Sequence, residues 1–364
     1  MRPWALVTPA SRGIGLELAR RLLQTTNVPV VATARKDTDQ TKENLLSGLQ
    51  GVEEDRLHVL KLDVLDEQTI HDAAAKSSAL FPKKESYLHL ALCLPGLLFP
   101  EKSPSQIDYE HALLTFRTNT LGPMMLLKHF SPFLPRKSTS LPDPNSTQLR
   151  GLPQEHATWA TMSARVGSIT DNRLGGWYSY RASKAAVNQV MRTFDNHLRT
   201  SAGENAVAVS LHPGTVKTGL SEEFWGNVKE EKLFSAEFAA EKLVENVAAS
   251  TPSEWLVMVG DSGHLRYIWE FVLLPVDGGG NDEATLLAIA LLQRVGRLTI
   301  LAFGSPRYKV MKALVKKQIL ALRLKRSVTA GKSAVELTEM VRLWLALEEA
   351  GKLNAVGGKG TVEK

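Results

Sequence analysis

The stretch Ala5-Leu6-Val7-Thr8-Pro9-Ala10-Ser11-Arg12-Gly13-Ile14-Gly15 decides the fold. Its first four residues form a short apolar run that predicts a β-strand, and residues 15–25 repeat apolar side chains at helical spacing. Between them, the glycines allow backbone N–H groups to approach a pyrophosphate, whose charge a helix N-terminus favours. The stretch therefore predicts a dinucleotide-binding turn. The alternative is that Gly13 and Gly15 only permit close packing of helix on strand.

The same alternation of strand and helix continues to about residue 263. Six further apolar runs predict strands, and all seven fit one doubly wound, parallel sheet of an α/β, Rossmann-like fold. Residues 131–156 are rich in proline, show no period and predict a surface loop. The predicted strands are 5–8, 29–34, 58–63, 88–94, 158–162, 206–212 and 255–259, and the clearest helices are 15–25, 66–80, 109–133 and 180–201.

Charge is unevenly distributed along the 364-residue chain, whose formal net charge is +6. Residues 264–364 carry 16 Lys and Arg against 9 Asp and Glu, so the basic character belongs to them. An apolar run that ends in three glycines, 278–280, indicates a linker. We therefore predict a nucleotide-binding domain over 1–263, a linker over 264–282 and a basic, helical C-terminal extension over 283–364.

The extension contains a predicted basic amphipathic helix over 308–326. Three interpretations of it stay open: a solvated face of a docked helix, a peripheral membrane contact, and a contact with a partner. We do not predict nucleic-acid binding. An apolar helix over 283–302 carries Gln293, Arg294 and Arg297, which favours a buried helix over a membrane span.

Composition excludes several classes of protein. The single cysteine, Cys93, cannot form an internal disulfide, which is typical of a reducing compartment. The nine histidines show no ligand spacing, so we predict no metal site. The first strand begins close to Met1 and leaves no room for a signal peptide, which predicts a cytoplasmic protein.

The end of the second predicted strand indicates which dinucleotide binds. Dinucleotide enzymes that select the unphosphorylated cofactor place an acidic residue there, whereas this chain has Arg35. A guanidinium suits a 2′-phosphate, and Arg12 in the turn adds a second cation. The pattern predicts NADP(H), with two ordinary solvated arginines as the alternative.

Tyr180 and Lys184 are four residues apart in a predicted helix, so both lie on one helical face. A nearby ammonium favours the phenolate and lowers a tyrosine pKa, which makes the hydroxyl a competent proton donor to a carbonyl oxygen. The pair alone is common in unrelated chains. Its meaning depends on the rest of the sequence.

In combination, seven segments resemble the short-chain dehydrogenase/reductase (SDR) family across residues 4–263. A narrower resemblance, carried by residues 163–168 and 175–184, is to the C-factor and sniffer-type carbonyl reductases. The seven segments are the turn at 8–15, Arg35, Leu62-Asp63-Val64, Asn119-Thr120-Leu121-Gly122-Pro123, the serine-containing strand end at 162–168, Tyr180 with Lys184, and residues 212–218.

The resemblance implies an NADP(H)-dependent oxidoreductase that interconverts a small lipophilic carbonyl compound and its alcohol by hydride transfer. It implies that Tyr180 donates the proton, that Lys184 holds the nicotinamide ribose and lowers the phenol pKa, and that Asn119 supports a water relay. Phe224 and Trp225 would lie in a lid over the substrate. The residues implied to bind the cofactor are Ser11, Arg12, Ile14, Gly15, Arg35, Asp63, Val64, Asn119, Tyr180, Lys184, Val216 and Thr218.

Three departures from the family pattern affect the site. Pro9 replaces the first turn glycine, and residues 93–96 retain only the glycine of the usual Asn-Asn-Ala-Gly. The usual catalytic hydroxyl position falls on Ala164. We predict that Ser163 is the substrate-orienting hydroxyl, with Ser168, or neither serine, as the alternatives.

These departures also define a second function. The alternative is a non-catalytic scaffold that senses NADP(H) and contacts a membrane or a partner through its basic tail. Such a protein would retain the fold without the catalytic activity. The family resemblance suggests a homodimer or a homotetramer. The sequence specifies neither the substrate nor the direction of the reaction.

Overall fold

We describe the chain from a computed structural model that covers residues 1–143, 146–169 and 171–249, together with the backbone of 256–258. Its strands are β1 (Arg2–Thr8), β2 (Val30–Ala34), β3 (Leu57–Lys61), β4 (Ser86–Cys93), β5 (Ala157–Met162), β6 (Ala206–His212), β7 (Thr215–Val216), β8 (Leu233–Phe234) and β9 (Leu256–Met258). Its α-helices are α1 (Gly13–Thr25), α2 (Thr38–Leu46), α3 (Glu67–Leu80), α4 (Tyr109–Phe116), α5 (Gly122–Phe130), α6 (Tyr178–Ser201) and α7 (Ala236–Ala249).

Strands β1 to β6 form a parallel sheet in the order β3-β2-β1-β4-β5-β6. The prediction of a parallel α/β fold of the Rossmann type is confirmed. Beside β6, the three residues of β9 pair in parallel with Ser210, Leu211 and His212. The predicted strand over 255–259 is represented by these three residues, and a full seventh strand is not confirmed.

The connections of β1 place a crevice at one edge of the sheet. From β1 the chain moves outward through β2 to β3, and it then returns to the opposite side of β1 as β4. In open parallel sheets, ligands bind beyond the carboxyl ends of the strands at such a switch point. The turn after β1 and the segment after β4 therefore border the crevice.

Helices cover both faces of the sheet, and alternate side chains of each strand point to opposite faces. Ala5 and Val7 of β1 belong to one core with side chains of α1 and α7. Trp4 and Leu6 belong to a second core with side chains of α3, α5 and α6. This burial on both faces explains why the strands read as apolar runs rather than as alternating patterns.

The predicted helical segment over 109–133 is present, but it is not one regular α-helix. The structure has α4 and α5 separated by a π-helical turn, Arg117–Leu121, in which the N–H of Gly122 bonds the carbonyl of Arg117. Such turns add one residue to a helix without changing its apolar period strongly, so the sequence pattern does not reveal them. The turn contains Asn119, which is fully buried.

The segment over 131–156 is only partly the surface loop that its prolines predict. Leu149 and Leu152 are buried, and Leu152 joins the core on the α1 side of the sheet. Gly151 has a positive φ of 75°, and a Cβ there would lie 2.7 Å from the carbonyl oxygen of Thr25. The segment therefore packs against the C-terminal end of α1, at a point where only glycine fits.

The predicted linker over 264–282 and the predicted extension over 283–364 lie outside the described residues. The three interpretations of the basic helix therefore stay predictions. Within the part of the chain that the structure describes, no helix is both long and apolar enough to cross a bilayer.

Candidate active site

The turn between β1 and α1 has the geometry of an anion-binding site. Gly13 has a positive φ of 57°, and a Cβ on Gly15 would lie 2.0 Å from the carbonyl oxygen of Pro9. A side chain at Gly15 would therefore collide with the turn, and one at Gly13 would strain its backbone. Arg12 precedes the first helical residue and is exposed, and no side chain caps α1. The helix N-terminus and this guanidinium both favour a negatively charged ligand.

A cavity of about 790 Å³ extends from this turn to the first residues of α6. Its walls also include the carboxyl ends of β5 and β6, the segment after β4 and residues 213–221. The predicted site residues that line it are Arg12, Ile14, Gly15, Ser163, Tyr180, Lys184, Val216 and Thr218. The predicted site residues that do not line it are Ser11, Arg35, Asp63, Val64 and Asn119.

All the charged side chains among these lining residues are cationic. They are Arg12, Arg165, Lys184, Lys217 and Lys232, and Arg165 also pairs with Asp171 outside the cavity. A cavity lined by one sign of charge attracts ligands of the opposite sign. Together with the glycine turn, the lining fits the diphosphate of a dinucleotide.

Tyr180 and Lys184 lie in the first two turns of α6, at the inner wall of the cavity. Both are buried, and Lys184 Nζ lies 5.7 Å from the centroid of the Tyr180 ring. The same ammonium donates a 2.8 Å hydrogen bond to the carbonyl of Met162 at the end of β5. The helical spacing therefore brings the two groups together as predicted.

The expected effect of Lys184 on the tyrosine is not what the structure shows. Burial raises the pKa of Tyr180 above its usual value, and it lowers the pKa of Lys184 to about 8. Desolvation by burial causes both shifts, and the ammonium, which bonds the Met162 carbonyl and lies over the ring, does not reverse the shift of Tyr180. Tyr180 therefore stays a phenol, which is the form that donates a proton.

Asn119 links the segment after β4 to α6 through hydrogen bonds. Its Oδ1 accepts from the N–H of Leu97 at 2.7 Å, and its Nδ2 donates to the Leu97 carbonyl and to Ser183 Oγ at 2.8 and 3.0 Å. The side-chain amide is thus committed to protein groups. Its predicted part in a water relay stays a prediction.

Ser163 and Ser168 occupy different environments. Ser163 lines the cavity, and its hydroxyl donates a 2.6 Å hydrogen bond to Asn188 Oδ1. Ser168 does not line the cavity, and its hydroxyl accepts from the N–H of Asp171. The structure thus separates the two candidates, with Ser163 the one that could meet a substrate after exchanging its bond to Asn188.

We expect Ser163→Ala to lower kcat/KM about tenfold or more, because it removes the lining hydroxyl that could orient a carbonyl oxygen. Ser168→Ala is the matched control and should stay within about twofold of wild type, since Ser168 lies outside the cavity. Steady-state rates with one aldehyde measure both. A larger loss in Ser168→Ala, or no loss in either, would contradict the assignment of Ser163.

Arg35, Asp63 and Val64 lie near the outer part of the crevice. Arg35 directly follows β2 and is exposed, whereas Asp63 accepts a hydrogen bond from the N–H of Leu65. Val64 packs so closely against α5 that a Cβ on Gly122 would lie 2.9 Å from its own Cβ. Since β2 and β3 end at the same sheet edge as β1, these residues border the region beyond the glycine turn.

Hydrogen bonds hold the unusual segment over 93–96 and the residue that follows it. The N–H of Leu94 donates to the carbonyl of Thr8, and Asn119 holds both backbone groups of Leu97. Thr33 Oγ1 donates to Thr8 Oγ1, which ties β2 to the end of β1. The central strands therefore keep their hydrogen bonds without the usual asparagines.

The predicted lid segment contributes one of its two aromatic residues to the cavity. Phe224 lines it, with its ring centroid 4.9 Å from that of Trp177. Trp225 does not line the cavity and donates through Nε1 to Ser221 Oγ. Trp177, which sequence reasoning missed as a site residue, has a positive φ of 53° and follows two glycines that mark an unusual backbone.

The cavity lies in the crevice of a Rossmann-type fold, with the glycine turn at the N-terminus of α1 at one end and the buried Tyr–Lys pair at the other. A family model described as short chain dehydrogenase matches residues 3–140. The chain is also 30% identical over 191 residues to 1-hydroxy-2-glutathionyl-2-methyl-3-butene dehydrogenase of Rhodococcus sp. (strain AD45). That match covers 52% of this chain and 71% of the relative. The chain belongs to the short-chain dehydrogenase family, whose members bind a nicotinamide cofactor.

Solved structures of carbonyl reductases are similar to this chain. An NADPH-bound carbonyl reductase from chicken fatty liver is 26% identical, with a TM-score of 0.58 over 73% of this chain and 99% of the other. The carbonyl reductase Sniffer of D. melanogaster shares the fold at 23% identity, with a TM-score of 0.57 over 71% of this chain and 97% of the other. The chain is thus an oxidoreductase with carbonyl reductase-like structural neighbours.

Proposed function

We propose that the chain is an NADP(H)-dependent carbonyl reductase of the C-factor and sniffer-type subgroup, which interconverts a small lipophilic carbonyl compound and its alcohol. The observation that carries the proposal is the shared cavity, which Arg12 and Gly15 line at one end and Tyr180 and Lys184 at the other. The NADPH-bound structural neighbour supports the choice of cofactor.

When held by the residues described below, NADPH would supply the hydride for the carbonyl carbon. Tyr180 Oη donates its proton to the carbonyl oxygen, which completes the alcohol. Lys184 is buried with its ammonium 5.7 Å from the centroid of the Tyr180 ring, and its positive charge is proposed to offset part of the cost that burial imposes on the phenolate that remains. Ser163 is proposed to orient the carbonyl oxygen.

The residues proposed to hold the cofactor lie along the carboxyl edge of the sheet. The backbone at Ser11, Arg12, Ile14 and Gly15 would surround the diphosphate, since this turn has the required glycines and an uncapped helix N-terminus. The residues proposed for the remaining parts of the cofactor are Arg35 at the 2′-phosphate, Asp63 and Val64 at the adenine, Asn119 and Lys184 near the ribose, and Val216 and Thr218 beside the nicotinamide.

Apolar side chains in the walls of the cavity support a lipophilic substrate. They include Trp177, Phe224, Leu98 and Val166, all uncharged and mostly apolar. Apolar side chains bind a substrate by removing its surface from water, and this contribution grows with the apolar area buried. We therefore propose aldehydes and ketones with aliphatic or aromatic substituents.

The proposed function is tested by incubating the purified full chain with NADPH and a panel of aldehydes and ketones. We expect NADPH oxidation that depends on the carbonyl compound and forms the matching alcohol. Tight NADPH binding without turnover of any panel member would instead favour the non-catalytic NADP(H)-binding scaffold.

The pKa of Lys184 predicts the pH dependence of the reduction. Since burial lowers this pKa to about 8, the ammonium is present below pH 8 and is lost as pH rises through that value. We expect kcat/KM to be constant below pH 8 and to fall above it with the loss of one proton, because a neutral amine cannot stabilise the phenolate. Initial rates from pH 6 to 10 at saturating NADPH measure this.

Lys184→Arg is the control, because a guanidinium stays charged throughout that range. The variant is expected to be slower than wild type and to lose the fall above pH 8. A wild-type profile that stays flat to pH 10, or an unchanged fall in the variant, would contradict the assignment to Lys184.

A homodimer or homotetramer, a cytoplasmic location and a membrane or partner contact through the basic tail remain proposals that rest on the sequence. They do not affect the proposed chemistry, whose residues all lie before residue 263.

A further inference from the structure

Glu101 is a buried carboxylate outside the predicted site. It follows β4, and only 3% of its surface is exposed. Its Oε2 accepts a 2.7 Å hydrogen bond from the N–H of Ser179, and its Oε1 accepts a 2.6 Å bond from Ser179 Oγ. Both carboxylate oxygens are therefore directed at the residue immediately before Tyr180.

These bonds make Glu101 the cap of α6. The residue that precedes α6 is Trp177, whose own side chain makes no capping bond. Ser179 is the second residue of the helix, so its N–H is one of those that the helix leaves without an internal partner. A carboxylate bonded there is favoured by the helix dipole as well as by the hydrogen bonds.

Glu101 also holds the backbone of Trp177. Its carbonyl accepts a 2.6 Å hydrogen bond from the Trp177 N–H. The left-handed backbone of Trp177, with φ 53° and ψ 46°, is uncommon for an aromatic residue and persists only where neighbouring groups fix it. The Trp177 ring lies edge-on to the Tyr180 ring, with centroids 6.1 Å apart.

We propose that Glu101 is a positioning residue that fixes Tyr180 and the Trp177 wall of the cavity through the first turn of α6. It bonds the two residues that flank Tyr178 and so controls where the proton-donating hydroxyl lies. The inference rests on the proposed carbonyl reduction. An error of about 1 Å in the position of a reacting group can cost on the order of 100-fold in rate.

The variants Glu101→Ala and Glu101→Gln test this inference. The first removes both side-chain bonds to Ser179. The second keeps the shape but not the charge, because the amide oxygen can accept from the Ser179 N–H while the amide NH2 donates to Ser179 Oγ. We expect kcat to fall about 100-fold in Glu101→Ala and about tenfold in Glu101→Gln, with an unchanged Kd for NADPH. Glu155→Gln, at an exposed glutamate, is the matched control and should retain wild-type rates.

A double-mutant cycle with Tyr180→Phe separates positioning from general destabilisation. If Glu101 acts through the Tyr180 hydroxyl, adding Glu101→Gln to the Tyr180→Phe variant should lower kcat by less than about threefold. Hydrogen exchange of the peptide over 177–182 should quicken in Glu101→Ala, because the Ser179 N–H loses its side-chain partner. Thermal melting of each variant verifies that it is folded.

The possible results distinguish this inference from the proposed function. An active wild type whose Glu101 variants keep full kcat, or lose equal factors with and without the Tyr180 hydroxyl, would overturn the positioning role and leave carbonyl reduction intact. A wild type that reduces no carbonyl compound would overturn the proposed function, and the positioning role with it. A loss of kcat that disappears in the Tyr180→Phe background, with quicker exchange over 177–182, supports the inference.

Discussion

Tyr180→Phe is expected to lower kcat for carbonyl reduction about 1,000-fold or more. The change removes only the hydroxyl that donates the proton, and general acid catalysis contributes about 100- to 10,000-fold in rate. The phenyl ring should keep its contact with Trp177, since that contact involves the ring and not the hydroxyl. The Kd for NADPH should therefore stay close to the wild-type value. Single-turnover NADPH oxidation and fluorescence titration measure the two quantities.

Tyr178→Phe is the matched control, because Tyr178 begins the same helix and is 40% exposed rather than buried. It should retain wild-type kcat. Tyr180→Phe activity within tenfold of wild type would show that another group supplies the proton, and the proposed role of Tyr180 would then be wrong.

Arg35→Asp is expected to shift the preference for NADPH over NADH by about 100-fold or more towards NADH. The change removes a cation that can form charged hydrogen bonds to the 2′-phosphate, and it places a carboxylate near the ribose hydroxyls that NADH carries. One charged hydrogen bond contributes about 1.5–3 kcal/mol, and 3 kcal/mol corresponds to about 100-fold. The ratio of kcat/KM values for the two cofactors measures the effect.

Arg150→Asp makes the same change at another exposed arginine that does not line the cavity. Its cofactor ratio should equal that of wild type, which excludes a general effect of net charge on the anionic cofactor. Equal ratios in Arg35→Asp and wild type would remove the argument for a contact between Arg35 and the 2′-phosphate.

The apolar strands could be predicted from the sequence because burial on both faces leaves a continuous apolar run. The predicted strand over 206–212 has the bounds of β6, and the predicted helix over 66–80 differs from α3 by one residue. Helix α2 could not be predicted in this way. Only Thr41 and Leu45 of its nine residues are buried, which leaves almost no apolar stripe. The π-helical turn at Asn119 is also hidden, since one added residue disturbs the helical period too little to be seen.

The candidate site is predictable where its parts are close in sequence. Tyr180 and Lys184 share a helical face, and the glycine turn lies between adjacent elements, so the spacing alone places them. The bonds of Glu101 to Ser179 connect residues 78 positions apart, and no local pattern indicates such a contact. Likewise, the bond from Ser163 to Asn188 depends on which way one hydroxyl points, which sequence does not specify.

The most direct test of the account follows the hydrogen that is transferred. The full chain is incubated with an accepted aldehyde and NADPH carrying deuterium at both C4 positions, and the alcohol product is examined by mass spectrometry and NMR. The account predicts one deuterium on the carbinol carbon of each product molecule. Bound NADPH together with no deuterated alcohol from any aldehyde or ketone would contradict it.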